Sequence, residues 1–275
     1  NNEAGASGGM VPVTYLGDVE IGLNNSNRAG KGPGTGLADQ ADVDAVASGV
    51  EFRIPLTTGG VGVTEADILG GTIVRIGGFV ASGDNGFLSN QVIGGLPSGT
   101  DNLGEPRLAD FSSTMGEQYE QVPTSANIAN GLITIDGKLD AGYTRLNSNL
   151  LQTQFGDSTD TPASNLLSPG GSEIAGTYAA FDDDNLYIFI AGNIEDNGNQ
   201  LNLFIDTDGV AAGTGPGGDG QNQMRGDNPD ISFGALNRLG DDGTDPGLKW
   251  DADFSPDHIL LFRVSALLRK LHQHA

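Results

Sequence analysis

Apolar and polar residues alternate in several short stretches of this chain, which is the pattern of half-buried β-strands. In GVEFRIPL, at 49–56, every second residue is apolar: Val50, Phe52, Ile54 and Leu56. Further strands are predicted at 10–23, 72–82, 132–136, 201–206 and 257–266. The pair Gly77-Gly78 interrupts one of them, which predicts a bulge or a close approach of another backbone. Residues 38–49 have apolar residues near helical spacing, which predicts a helical turn, and 266–275 could form a short amphipathic basic helix.

Residues 176–196 predict a β-hairpin that is buried on both faces. The sequence GTYAAF leads into the polar turn Asp182–Asn185, and the strand LYIFIAG follows. The second strand is apolar on both sides, with Leu186, Ile188 and Ile190 on one face and Tyr187 and Phe189 on the other. A strand of this kind is typical of the centre of a sheet that is covered on both faces.

Glycine is the residue in excess: 44 of 275 residues are glycine, about 16%, whereas the average share is about 7%. Much of it stands beside Asn, Asp, Ser and Thr, a combination that favours turns between short strands. Many short strands with little helix predict an all-β fold. We therefore expect an antiparallel, jelly-roll-like β-sandwich with long Gly/Asp/Asn-rich loops.

Charge and composition narrow the function classes. The formal net charge of −23 argues against nucleic-acid binding, which requires a basic surface. Cysteine is absent, and no apolar run approaches the length of a membrane helix. The chain begins with Asn1-Asn2, so we expect an export signal to have been removed and the protein to be extracellular or at the cell surface. No GxSxG nucleophile elbow or Walker motif is recognisable, and no GxGxxG opens a helix after a strand, so we predict that the protein is not an enzyme.

The surplus of carboxylates predicts bound cations, with Ca²⁺ favoured because it prefers oxygen ligands. Asp206 and Asp208 are two residues apart beside Gly209, so both side chains could converge on one ion, and Asp219 is a candidate further ligand. Asp182, Asp183 and Asp184 form a second candidate cluster. The alternative for both clusters is an ordinary turn stabilised by Asp side chains. In IDGKLD, at 135–140, Asp136 and Asp140 are expected to fasten a turn.

Three sequence segments together resemble a known kind of module. IDGKLDAGY at 135–143, FDDDNLYIFIAGNIED at 181–196 and LFIDTDG at 203–209 resemble the amino-terminal half of family-nine carbohydrate-binding modules and related DOMON-like sandwiches of exported bacterial proteins. GVEFRIPL resembles a late strand of the same family, with an acidic residue before an Ile-Pro step. The resemblance implies a sugar site framed by aromatic rings, for which Trp250, Tyr178 and Tyr187 are the candidates.

The two halves of this resemblance occur in reversed order. We divide the chain into 1–121, which is like the second half, a connector at 122–131, and 132–275, which is like the first half. Two halves joined in this order form either one permuted domain or a domain completed by exchange of strands between subunits. Because exposed strand edges recruit other strands, we expect a structural protein that assembles with copies of itself into a filament or surface layer, through strand exchange and cation-stabilised acidic loops. The alternative is a carbohydrate-binding module with an extracellular polysaccharide as partner.

Overall fold

The computed structural model describes residues 18–26, 40–57, 60–150, 152, 172–195, 197–207, 238–240, 242–251 and 253–264. Most of the regular structure in this part is β-strand. The strands are β1 Glu20–Leu23, β2 Gly49–Pro55, β3 Arg75–Ala81, β4 Leu88–Val92, β5 Tyr119–Gln121, β6 Thr144–Ser148, β7 Glu173–Phe181, β8 Asn185–Asn193, β9 Gln200–Asp206 and β10 His258–Arg263. Two five-residue helices are α1 Gln40–Asp44 and α2 Glu65–Leu69, and short 3-10 turns occupy Pro106–Leu108, Phe111–Ser113 and Thr124–Ala126.

The strands form two antiparallel sheets, so the predicted all-β sandwich is confirmed. Sheet I has the order β1-β2-β8-β7-β6. Sheet II has the order β10-β9-β3-β4, and β5 also pairs with β3. The predicted strands at 49–56, 72–82, 201–206 and 257–266 are therefore present, and so is the hairpin of β7 and β8.

The core between the sheets follows from the alternation along each strand. Phe52 of β2 and Ile188 of β8 point inward from sheet I, where they meet Leu203 of β9 and Ile76 of β3 from sheet II. Phe262 of β10 packs edge-on against Phe52, with ring centroids 6.1 Å apart. Because the alternating residues of both sheets interdigitate here, the period-2 pattern alone accounts for this layer.

Each sheet also has a covered outer face. On sheet I, Phe189 and Tyr187 pack under α1 and under residues 128–143 through side chains such as Val43 and Ile133. On sheet II, Phe79 and Phe204 pack under the loops that carry Phe111 and Trp250. The prediction that β8 is apolar on both sides because both faces are covered is therefore confirmed, and it applies to β9 as well.

The two segments of reversed order pair with each other inside one chain. β2, from the first segment, lies between β1 and β8 and pairs with β8 over seven residues. β3, also from the first segment, pairs with β9 over seven residues. Each sheet therefore combines strands from both segments, and these central pairings need no strand from a second chain.

The stretch 132–136 was predicted as a strand and is not one. It runs over the outer face of sheet I, where Ile133 packs on Ala180 and Tyr187. Its backbone is held by a side chain instead of a neighbouring strand, since the N–H of Thr134 donates to Oδ2 of Asp140 at 2.8 Å. The alternation LITID reflects one buried side and one exposed side, which a covering loop satisfies as well as a strand does.

Gly77 and Gly78 lie inside a continuous strand, and both allow close approach rather than a bulge. A Cβ on Gly78 would stand 2.5 Å from the carbonyl oxygen of Asn202 in β9. A Cβ on Gly77 would stand 2.8 Å from the ring of Phe254. Of the two outcomes predicted for this glycine pair, close approach is therefore the one observed.

Candidate functional site

Asp182 begins the hairpin turn between β7 and β8, and its carboxylate is saturated by that turn. Oδ1 accepts from the backbone N–H groups of Asp184 at 3.0 Å and Asn185 at 2.9 Å, and Oδ2 accepts from the hydroxyl of Tyr187 at 2.8 Å. Burial of the Tyr187 hydroxyl, together with its hydrogen bond to Asp182, raises the pKa of Tyr187 to about 12. These are the contacts of an ordinary turn stabilised by an Asp side chain, which was the alternative to a metal-binding role for Asp182.

The other two carboxylates of this turn are exposed. Asp183 exchanges hydrogen bonds with the side chain of Asn130, which donates to its Oδ2 at 3.2 Å. Asp184 contributes its carbonyl oxygen to the N–H of Leu56 at 2.8 Å. The turn thus fastens residues 128–130 and the end of β2 to the hairpin.

Asp206 ends β9 and is fully buried. Its Oδ2 accepts from Nη1 of Arg75 at 3.3 Å and from the backbone N–H of Ser255 at 3.2 Å. The carboxylate therefore binds the neighbouring strand β3 and the segment before β10. Asp208 and Asp219, its predicted partners around an ion, lie outside the described residues. Among the residues that are described, no three carboxylates or histidines cluster as a metal site.

The predicted sugar-binding aromatics are buried, so they form no exposed platform in this structure. Trp250 is 1% exposed, and its ring packs against Phe204, with centroids 4.7 Å apart, and against Phe254 at 5.1 Å. Tyr178 is 7% exposed and Tyr187 is 4% exposed. A sugar stacks on a ring face that is open to solvent, and these faces are used for packing.

Glu51 is the buried group that sequence reasoning missed. It lies in β2 on the outer face of sheet I and is 0% exposed. Its Oε2 accepts from the backbone N–H groups of Asp136 and Gly137, both at 2.9 Å, and its Oε1 accepts from the hydroxyl of Tyr143 at 2.7 Å. The acidic position in GVEFRIPL thus holds the motif IDGKLDAGY, and both stretches had been singled out separately. We call these contacts the Glu51 latch.

The surroundings of the Glu51 latch shift the pKa values of Glu51 and Tyr143. Burial raises the pKa of Glu51, although the hydrogen bonds from Tyr143, Gly137 and Asp136 oppose that rise. Burial and the neighbouring charge of Glu51 raise the pKa of the Tyr143 hydroxyl. Within the motif, Asp136 accepts from the N–H of Lys138 at 2.9 Å and Asp140 accepts from Thr134. The prediction that Asp136 and Asp140 fasten a turn is confirmed.

Strand edges are the other candidate sites, and three of them carry features that block pairing. β1 has only four residues and an exposed Glu20. β6 is interrupted by a register shift between Arg145 and Asn147. The free side of β4 is bridged by Gly104, which exchanges hydrogen bonds with Leu88. Short, bulged or covered edges of this kind are common protection against aggregation.

Within the part of the chain that the structure describes, β10 is the least protected edge strand, since its one exposed charge is Arg263 at the end of the strand. It pairs with β9 through six consecutive residues without a register shift. Its sequence, HILLFR, contains neither proline nor an inward-pointing charge. Leu260 and Leu261 are half-buried and contribute to the apolar layers on opposite faces of sheet II. As far as the chain is described, no backbone hydrogen bond joins the outer edge of β10 to another segment.

Comparison of the chain with protein-family models, with curated proteins and with solved structures gives no match. The resemblance to family-nine carbohydrate-binding modules and DOMON-like sandwiches therefore stays a prediction. Among the described residues, no helix is long and apolar enough to cross a membrane.

Proposed function

We propose that this chain is a non-catalytic structural module of an exported protein and that it assembles with copies of itself. The observation that carries this proposal is the open, apolar edge of β10. Because the central strands pair within one chain, assembly needs only the addition of an edge strand and not the exchange of half a domain.

The physical reason lies in the backbone and in the two apolar layers. The outer edge of β10 presents a row of N–H and C=O groups, and such a row pairs readily with another extended strand. Leu260 lies on the side of the inter-sheet core and Leu261 on the side of the outer layer. A strand added here would extend both apolar layers and cover both leucines.

A second copy fits this edge because two β10 strands are mutually complementary when they are antiparallel. Such a contact is isologous, with the same surface on both partners, which is the commonest arrangement in homo-oligomers. The net charge of −23 opposes association of two copies. Salt that screens this repulsion is therefore expected to favour assembly.

Calcium ions are part of the proposal for the same electrostatic reason. Asp182 and Asp206 are committed to contacts within the protein, so the predicted cation site now depends on Asp208 and Asp219. Ions bound in the acidic loops would lower the repulsion between copies. Location outside the cell or at its surface, where Ca²⁺ is abundant, belongs to the same proposal.

Light scattering coupled to size exclusion, together with sedimentation velocity, tests the β10 contact over a wide range of protein concentration. We expect the wild type to form dimers as concentration and salt increase, because one isologous contact closes after two copies. Leu260→Lys and Leu261→Lys each place a charge on the edge and are expected to remain monomeric. Ile21→Lys, on the edge strand β1 and 47% exposed in the wild type, is the matched control and should assemble normally.

Circular dichroism establishes that each lysine variant retains the β-sandwich. A wild type that stays monomeric at every concentration and salt level would refute self-assembly. If the wild type assembles but both β10 variants assemble equally well, a different surface makes the contact.

A further inference from the structure

Several carboxylates gather where the two sheets meet at β5 and β6. β5 belongs to sheet II and β6 to sheet I, and the two strands are in contact at this side of the sandwich. Glu120 of β5 is half-buried between them and is hydrogen-bonded to the side chain of Asn147 in β6. We call the region around Glu120, Asn147 and Asp251 the acidic seam.

Asp251 fixes the chain just before β5. Its Oδ2 accepts from the backbone N–H of Gln118 at 2.6 Å. The ring of Tyr119 stacks on that of Phe254, with centroids 5.5 Å apart and planes 9° apart. Residues 118–120 are thus held on one side by the segment before β10 and on the other by β6.

The charges that face these two carboxylates are mainly negative. Glu117 acts on both Glu120 and Asp251, while Asp110 and Asp253 act on Asp251. Two cations on adjoining segments have other partners: Arg75, in the strand beside β5, pairs with Asp206 at 3.3 Å, and Lys249, two residues before Asp251, pairs with Asp110 at 3.2 Å. In the part of the chain that the structure describes, neither Glu120 nor Asp251 forms an ion pair.

We propose that the acidic seam is a pH-responsive clasp: β5 is held to β6 of the other sheet more firmly when Glu120 is protonated, and residue 118 is held to the segment before β10 more firmly when Asp251 is protonated. Ionisation places two negative charges in half-buried positions near Glu117, and no cation of the described residues pairs with either of them. Protonation removes that repulsion, and the neutral carboxyls keep their contacts with Asn147 and with the N–H of Gln118.

The direction of the pH dependence follows from these surroundings. Burial and the charge of Glu117 raise the pKa of Glu120 to about 7, against an ordinary value of 4.5. Burial is also the main cause that raises the pKa of Asp251 to about 6, against 3.8. The folded protein therefore binds more protons than the unfolded chain within these windows. Stability is highest at the acidic end and is lost as the pH rises through about 4.5–7.

Thermal unfolding of the wild type and of Glu120→Gln, measured between about pH 4 and about pH 8, tests the clasp. Glutamine keeps the size and the hydrogen bond to Asn147 but does not ionise. We expect the two proteins to melt together at the acidic end. At the alkaline end we expect Glu120→Gln to melt about 3 °C higher. Glu117→Gln should give a smaller gain in the same direction, because it removes only the repelling charge.

Asp18→Asn is the charge-matched control. Asp18 is exposed, and asparagine tolerates its positive φ of 60°, so this variant removes one charge without touching the seam. Its melting curve should follow that of the wild type at every pH. Hydrogen exchange then locates the effect: amides in β5 and β6 of the wild type should lose protection as the pH rises, after correction for the intrinsic exchange rate.

Equal pH dependence of the wild type and Glu120→Gln would overturn the clasp. The same conclusion would follow if Asp18→Asn gave as large a gain as Glu120→Gln, since the effect would then come from the net charge. The measurements need no assembly of the protein, so this inference stands or falls independently of the β10 contact.

Discussion

Removal of the Glu51 carboxylate should destabilise the fold by about 3 kcal/mol. In Glu51→Ala, the N–H groups of Asp136 and Gly137 and the hydroxyl of Tyr143 lose their acceptor. Each buried donor left unsatisfied costs about 1–3 kcal/mol. The N–H of Gly137 is buried, whereas the other two donors are partly buried and can reach water more easily. Relief from burying an ionised carboxylate offsets part of the sum.

Two further variants separate the hydrogen bonds from the charge. In Glu51→Gln, the amide oxygen can accept from both backbone N–H groups while the NH₂ group donates to the hydroxyl of Tyr143. We therefore expect a loss below about 1 kcal/mol near neutral pH. Tyr143→Phe removes one donor and leaves the two backbone contacts, so its expected loss is about 1–2 kcal/mol.

Urea denaturation gives the three free energies of unfolding, and thermal melting should show the alanine variant about 6–12 °C below the wild type. Hydrogen exchange supplies the local reading, because amides in 134–143 should lose protection in Glu51→Ala and keep it in Glu51→Gln. The pKa of Glu51 is raised in the folded state, so its ionisation lowers stability as the pH rises above about 4.5. That contribution should be missing from Glu51→Gln.

Two results would contradict this account of the latch. A loss of less than about 0.5 kcal/mol in Glu51→Ala would mean that water replaces the carboxylate without cost. If Glu51→Gln were as unstable as Glu51→Ala, the ionised charge would matter rather than the number and position of acceptors.

Two other predictions concern the buried Asp206–Arg75 ion pair and the binding of calcium in the acidic loops. Asp206→Ala leaves the buried guanidinium of Arg75 without its carboxylate. The free energy of unfolding, measured by urea denaturation, should fall by about 3–5 kcal/mol. The fall should be the same in chelator and in excess Ca²⁺. A loss that disappeared in chelator would instead identify Asp206 as a calcium ligand. If cations bind in the acidic loops, EDTA should lower the melting temperature of the wild type, and added Ca²⁺ should restore it. An unchanged melt in EDTA would remove calcium from the proposed function.

The strands that could be predicted are those with strong local patterns. The alternation in GVEFRIPL and the apolar runs in LYIFIAG and LNLFID correspond to β2, β8 and β9. β5 and β6, with the sequences YEQ and TRLNS, lack such a pattern and were missed. The short helix α2 was missed as well, although its capping box of Thr64 and Asp67 is visible in the sequence.

Candidate sites were harder to predict because a residue type does not specify its surroundings. Trp250 was a plausible sugar platform by composition, yet its ring is surrounded by phenylalanines, of which Phe79 and Phe111 are distant in the sequence. Asp206 looked like an ion ligand beside Asp208, but the fold places Arg75 against it. In both cases some of the deciding neighbours, Phe79 and Phe111 for Trp250 and Arg75 for Asp206, lie more than a hundred residues away along the chain.

By itself the amino-acid sequence determined the all-β class, the hairpin of β7 and β8, the turn-forming role of Asp136 and Asp140, and the surplus of negative charge. These properties depend on residues that are close together, since strand alternation and Asp-stabilised turns are local interactions. Only the tertiary structure decided that the reversed segments pair within one chain, that Glu51 holds the motif at 135–143, and that β10 lies at the edge of sheet II. Each of those depends on which distant strands become neighbours, and that is set by packing of the whole sandwich.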